Sequence, residues 1–219
     1  MKKNLSIAVL LIAVFCGLNS ANAQNLGAGA GMSFLKFGNS EVDTKMHLGP
    51  GLRGRWDNDD KLAVSVGFHY YLTNTYKTDI TLYSLSSANP SVSASLDEKF
   101  SAIHIYGHGN YYLVGESAGD EFGLYGIFGI AYLSETVKIE MGTTVDQSKY
   151  DVSAYNGSFS GSGFTIDLGV GVDIPVSSFK VFGEAQLNLP ANKAGEQTID
   201  VQINSSYCIN LGVRFPFGN

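Results

Sequence analysis

FTIDLGVGVDI, residues 164–174, is the stretch on which the fold turns. Its even positions are apolar: Phe164, Ile166, Leu168, Val170, Val172 and Ile174. Its odd positions are Thr165, Asp167, Gly169, Gly171 and Asp173. A period of two puts these two sets on opposite faces of one β-strand. The apolar face has two possible destinations. Turned inward, it joins the core of a soluble sandwich or small barrel. Turned outward to lipid, it leaves the aspartates and glycines lining the inside of a membrane barrel.

The same alternation recurs along the chain. It predicts strands at 25–37, 45–56, 61–72, 99–113, 121–133, 179–189 and 205–215, which with 164–174 makes eight. The stretch 121–133 is apolar on both faces, so its orientation is open. Connections alternate in length. Short polar turns occupy 57–60, 115–120 and 175–178, and longer segments occupy 73–98, 134–162 and 190–204. Outer-membrane barrels combine an even strand number with this asymmetry, the short turns periplasmic and the long loops external. The Ser-rich stretch TLYSLSSANPSVSASL (81–96) reads as a mobile loop tip.

Composition favours lipid on the outside. Charged residues are 16% of the chain, against about 25% in ordinary soluble domains. That leaves too little Lys and Glu to solvate a whole exterior. The polar faces are built largely from Gly, Ser, Ala and Asn, and a narrow eight-stranded lumen needs such small side chains. Eleven residues tilted by about 45° cover roughly the 25 Å apolar band of such barrels. Net charge is −6, so the basic footprint of a nucleic-acid binder is missing. The first 23 residues read as a signal peptide: Lys2 and Lys3, an apolar run from Ile7 to Phe15, then Ala21-Asn22-Ala23. Residues 24–219 are then the barrel, with Cys208 its single cysteine.

The predicted lumen faces carry charges of both signs: Arg53, Arg55, Lys180 and Arg214 against Asp167, Asp173 and Glu184. Buried charges need partners, and the two aspartates are expected to meet Arg53, Arg55 or Arg214. Rings at strand ends, Trp56, Tyr70, Phe100, Tyr111, Phe164, Phe179 and Phe215, are expected to form the interfacial girdles. All four histidines fall on the lumen side. His47, His69 and His104 are the weak candidates for a metal site, with His47 expected beside His69 at the outer mouth. No cofactor is expected. No GxSxG occurs and no Ser follows His104 or His108 at two residues, so no catalytic residue is assigned.

The leader, the eight amphipathic strands and the closing YCINLGVRFPF (207–217) resemble small outer-membrane barrels of the OmpA-barrel and OmpX kind, and barrel-domain proteins common in Bacteroidota. The chain departs from the usual terminal aromatic, ending on Gly218 and Asn219. The resemblance covers the whole mature chain and implies an all-β, eight-stranded antiparallel up-and-down transmembrane barrel in the outer membrane. It also implies dependence on the barrel-assembly machinery and contact with outer-membrane lipid. The expected role is structural or interactive, through the loops at 73–98, 134–162 and 190–204, which would meet an extracellular ligand or protein. The lumen is expected to be plugged, with low conductance. The alternatives are a lipid-modifying barrel enzyme or a barrel that binds a small hydrophobic ligand.

Overall fold

Alternating sequences with apolar residues on one side cannot leave a sheet edge open in lipid, and closure is the available solution. In the computed structural model, residues 25–37, 46–85, 90–191 and 205–217 are described. Eight strands close into one antiparallel ring in chain order: β1 (Asn25–Phe37), β2 (His47–Asp57), β3 (Leu62–Leu82), β4 (Val92–Val114), β5 (Gly123–Met141), β6 (Gly157–Val176), β7 (Phe179–Pro190) and β8 (Ser206–Phe217). Strand β1 pairs with β8 over Leu26–Phe217 to Phe37–Ser206, which completes the ring. The leader, the 38–44 connection and most of the 190–204 connection lie outside the described residues.

The apolar face of 164–174 points outward. Phe164, Ile166, Leu168, Val170 and Ile174 are all exposed, whereas Thr165, Asp167 and Asp173 are buried. Strand β5 resolves in the same sense: Phe128 and Ile130 face out, and Tyr125, Ile127, Ala131 and Leu133 face in. Both of its faces are apolar because its inner side packs rings, Tyr125 against Tyr112, rather than charges.

The inner wall solves a space problem by pairing rings with glycines. Directly opposed residues across neighbouring strands include His69 with Gly51, Tyr106 with Gly67, Tyr125 with Gly171 and Phe182 with Gly212. Each ring occupies the space beside its partner where a methyl group would meet ring atoms within 3 Å. Gly31 is less forgiving: a Cβ there would stand 2.3 Å from the backbone oxygen of Leu211, which cannot swing away as a side chain can. Gly31→Ala should therefore destabilise the barrel by about 1–3 kcal/mol. Urea unfolding in micelles checks this, and a variant as stable as the parent would refute the close approach.

The sheet is longer on one side than the sequence pattern predicts. Segments 73–98 and 134–162 are largely strand rather than loop. Strands β3, β4, β5 and β6 contain 21, 23, 19 and 20 residues, against 13, 11, 12 and 12 for β1, β2, β7 and β8. The extra length forms a four-stranded extension beyond the apolar band. It is offset by a bulge between Tyr71 and Asn74, which exchanges the two faces of β3: Tyr71 faces in, and beyond the bulge even-numbered Leu82 is buried.

One girdle assignment changes. Phe100 points inward, joining Leu35, Phe37, Tyr71, Ala102, Leu133 and Cys208 in a buried cluster. Its even number gives it the parity of His104 and not of Ile103. Trp56 shares an outward row with Leu26 and Val64 yet is buried, at 7% exposure. Tyr111 and Phe215 are exposed near the ends of β4 and β8, Tyr70 and Phe164 are exposed but lie midway along the lengthened β3 and β6, and Phe179 is half-buried with its ring 5.9 Å from that of Phe215.

Candidate functional site

The lumen is the first place to look for chemistry, and its polar side chains fall into three groups along the strands. Nearest the short turns, Asp173 sits between cations. It accepts from Arg214 at 2.8 Å and from the Tyr112 hydroxyl, and Arg55 lies 3.8 Å away. Arg55 also donates to Asp57 at 2.8 Å and to Tyr112 at 2.6 Å. Lys180 reaches the backbone oxygen of Ser117 in the turn after β4. That turn is tied to the 57–60 turn, since Ser117 donates to the backbone oxygens of Asp59 and Asp60. Alternation brought Arg55, Asp173, Lys180 and Arg214 to one region, and Tyr112 and Ser117 complete it.

In the middle, Arg53 and Glu184 form a two-pronged pair, both bonds 2.8 Å. Glu184 also accepts from Tyr125 at 3.0 Å, Gln186 at 3.0 Å and Asn210 at 3.3 Å. The Arg53 guanidinium stacks over the Phe182 ring at 4.3 Å. Both members of the pair are almost completely shut off from solvent, and the donor set satisfies the charge that burial would otherwise strand.

Further from the turns, Asp167 does not meet an arginine as the charge pattern predicts. Its partners are His108 at 2.9 Å, His104 at 3.5 Å and the Thr165 hydroxyl at 2.7 Å. The reason is position: β6 places Asp167 six residues from Asp173, well away from the arginine end. Tyr106 stacks on His108 at 4.4 Å and on His69 at 5.2 Å. His69 and His104 stack nearly parallel, 6.0 Å apart. Parallel rings aim their nitrogens side by side rather than at a common ion. His47 is not beside His69, because the register pairs His69 with Gly51. His47 instead lies against Phe100, with ring centres 3.9 Å apart, and bonds to Tyr76. Among the described residues no group of three or more His, Cys, Asp or Glu is placed to hold a metal ion.

This arrangement can hold charges but offers them little to do. Asp167, Asp173 and Glu184 are each engaged by two or more donors, and Ser65, the serine opposite His108, accepts from Asn110 at 2.9 Å. Above the histidines, the cluster of Leu35, Phe37, Tyr71, Phe100 and Leu133 lies across the lumen.

The second place is the extension beyond the band. Its inner face and the 143–156 segment build a small apolar core of Leu82, Ala94 and Val152, joined by Ile80, Met141, Val145, Tyr150 and Tyr155. On its outer face Lys99 and Lys138 stand directly opposite each other, and Glu140 binds both. Hydrogen bonds from Lys138 and Lys99 hold the Glu140 carboxyl down to about 2. A carboxyl lowered by folding adds stability above its unfolded pKa and loses it as pH falls toward the folded one. Amide protection across β4 and β5 at this pair should therefore weaken between about pH 4 and pH 2, as hydrogen exchange would record. Sequence reasoning missed the extension, because its alternation lacks the run of apolar residues that lipid demands.

A family model described as outer membrane protein beta-barrel domain matches residues 7–178. Among solved structures, the chain is similar to a major outer membrane protein from Thermus thermophilus, at 11% identity and a TM-score of 0.53, over 87% of this chain and 99% of that one. It is also similar to Ail, the attachment invasion locus protein of Yersinia pestis, at 14% identity and a TM-score of 0.48, over 88% and 97%. A third is the N-terminal beta-barrel domain of Pseudomonas aeruginosa OprF, at 11% identity and a TM-score of 0.47, over 89% and 98%. At these identities the likeness speaks to fold alone. No curated protein matches the chain significantly.

Proposed function

We propose, from the fact that this chain belongs to the outer membrane protein beta-barrel domain family, that it is a non-enzymatic outer-membrane barrel acting through its external sheet. In this reading the lumen is a structural rod of low conductance. The four long strands carry the working surface to the outside, with the 143–156 segment. One observation carries the reading: length and a separate apolar core are invested in β3–β6 beyond the band, while Arg53, Arg55, Asp167, Asp173, Glu184 and Arg214 in the lumen are engaged by one another or by neighbouring donors and acceptors. A channel needs unsatisfied, hydrated groups along a continuous path, and an enzyme needs a poised nucleophile or base. A ring-filled lumen, with Asp167, Asp173 and Glu184 each engaged by two or more donors, favours neither.

Two measurements test it together. Reconstituted in planar bilayers, the protein should give no stable open state of porin size. On intact cells, added protease should cut within 82–92 or 142–156 and leave the barrel behind. Large steady conductance, or a protected extension, would overturn the reading. Mass spectrometry of lipid A from cells with and without the protein tests the enzymatic alternative, and a new acylation state would establish it.

A further inference from the structure

We propose that Glu135 is a proton-controlled latch on the apolar cluster that lies across the lumen: the cluster is closed while the carboxyl keeps its proton and admits water when the proton leaves. Among the described residues, the other buried acids each have a donor. Asp57 accepts from Arg55, and Asp173 accepts from Arg214 and Tyr112. Asp167 accepts from Thr165 and pairs with His108, and Glu184 accepts from Arg53, Tyr125, Gln186 and Asn210. Glu135 is 4% exposed, and its Oε1 has no hydrogen-bond partner.

Its position ties it to the cluster. On the inner face of β5 it stands between Leu133 and Val137, directly opposite Ala102 on β4 and Gly161 on β6. Leu133 and Ala102 are members of the cluster, and Val137 packs against it. The carboxyl is therefore set into the edge of the apolar layer. It also lies three residues past Tyr132, whose ring meets that of Phe164 at 5.6 Å. The outward residues on either side of it, Ser134 and Thr136, are paired with Ser162 and Ser160. This part of β5 is outside the lipid band, where water can follow a small movement of the strand.

The surroundings offer a carboxylate no cation. From β6 it faces Gly161 and Gly163. From β4 the titratable neighbours are His104, one inner rung toward the middle with its ring 3.5 Å from Asp167, and Glu98, two inner rungs further out opposite Ile139. Tyr71 and Cys208 belong to the cluster, and His47 lies against Phe100 with Tyr76. Lys99 and Lys138 are on the outer face of the sheet, where Glu140 binds both. A neutral carboxyl can stay in such a place, whereas a charged one must find water or leave. Burial accordingly pushes the Glu135 carboxyl up to about 8. Opening to water returns it toward about 4.3. A proton held more tightly in the closed form favours that form at low pH. Opening should then grow up to tenfold per pH unit from about pH 4.5 to about pH 8, and level off above.

Cys208 supplies the probe, since it sits in the same cluster at 1% exposure. The protein, folded into phosphatidylcholine vesicles, is labelled with methyl methanethiosulfonate, and the label on Cys208 is quantified by peptide mass spectrometry. Dividing by the rate for the urea-unfolded chain at the same pH removes the pH dependence of the reagent. Protection of Cys208 should fall at least tenfold between about pH 5.5 and about pH 7.5. Glu135→Gln keeps the shape of the neutral acid and cannot ionise, so its protection should stay flat. Thr136→Glu adds the same charge on the outer face and should titrate as the parent does. Heat-dependent gel mobility shows that each variant is folded. A second reading needs no variant: the parent should show the infrared carbonyl band of a buried protonated carboxyl at about pH 6 and lose it by about pH 9.5. Protection that is flat in the parent, or that falls equally in Glu135→Gln, overturns the proposal, and so does absence of that band at about pH 6.

Discussion

Glu184→Ala should cost the barrel about 3–5 kcal/mol, the cost of removing one partner from a buried ion pair. Its carboxylate is the acceptor for both terminal nitrogens of Arg53 at 2.8 Å and for Tyr125, Gln186 and Asn210. Without it, Arg53 remains a charge enclosed by Tyr106 and Phe182, and three polar groups lose their acceptor. A guanidinium cannot shed its proton to escape, so the penalty falls on the fold. The pair as a whole is worth much less than its breakage. Replacing Arg53 and Glu184 together by methionine should recover most of the loss, because well-packed apolar groups of similar volume do the same filling without desolvation. Urea titrations in micelles, read by the shift between folded and unfolded gel mobility, give both numbers. A single variant within about 1 kcal/mol of the parent would show that the middle of the lumen is hydrated and the pair is solvent-screened.

This asymmetry bears on how much of the molecule the sequence makes legible. Inside lipid, every strand must hide its polar groups on one side, so alternation is strict and the eight spanning segments can be read from it. Beyond the band that pressure ends. Lys77 and Asp79 on β3 face water on a strand whose other side needs only Ile80 and Leu82 to cover a small core, and no long apolar run marks it. The bulge between Tyr71 and Asn74 adds to the difficulty, since it exchanges odd and even faces midway along β3. Phe100 shows the opposite error: its parity was readable from Ile103 and Ile105, but ring chemistry suggested the interface. For the lumen, alternation placed Arg53, Arg55, Asp167, Asp173, Lys180, Glu184 and Arg214 on the inner face, yet not their pairing. Which cation meets which carboxylate depends on register and on height along the barrel. Those quantities give Arg53 to Glu184 and leave Asp167 with imidazoles. Tyr125 was hidden for a different reason: its strand is apolar on both sides, and the phenol hydroxyl that reaches Glu184 leaves no mark in a hydrophobic pattern.

Leu168→Arg should destabilise the barrel by about 2–4 kcal/mol, the cost of a basic side chain on the lipid face near the bilayer midplane. Leu168 lies at the middle of the stretch 164–174, in a row with Phe128 and Leu187 on the flanking strands. All three are more than 40% exposed, and in water such a row would gain solubility from an arginine. The sign of the change therefore reports which medium the face meets. Ser160→Arg is the internal control. It occupies the same strand and the same outward parity, but lies in the extension, paired with Thr136 rather than with an apolar neighbour. Lipid outside predicts a large loss at 168 and almost none at 160, measured by urea unfolding of protein folded into phosphatidylcholine vesicles. Equal effects at the two positions would mean that depth does not matter, and a face insensitive to depth is not a face that meets a bilayer.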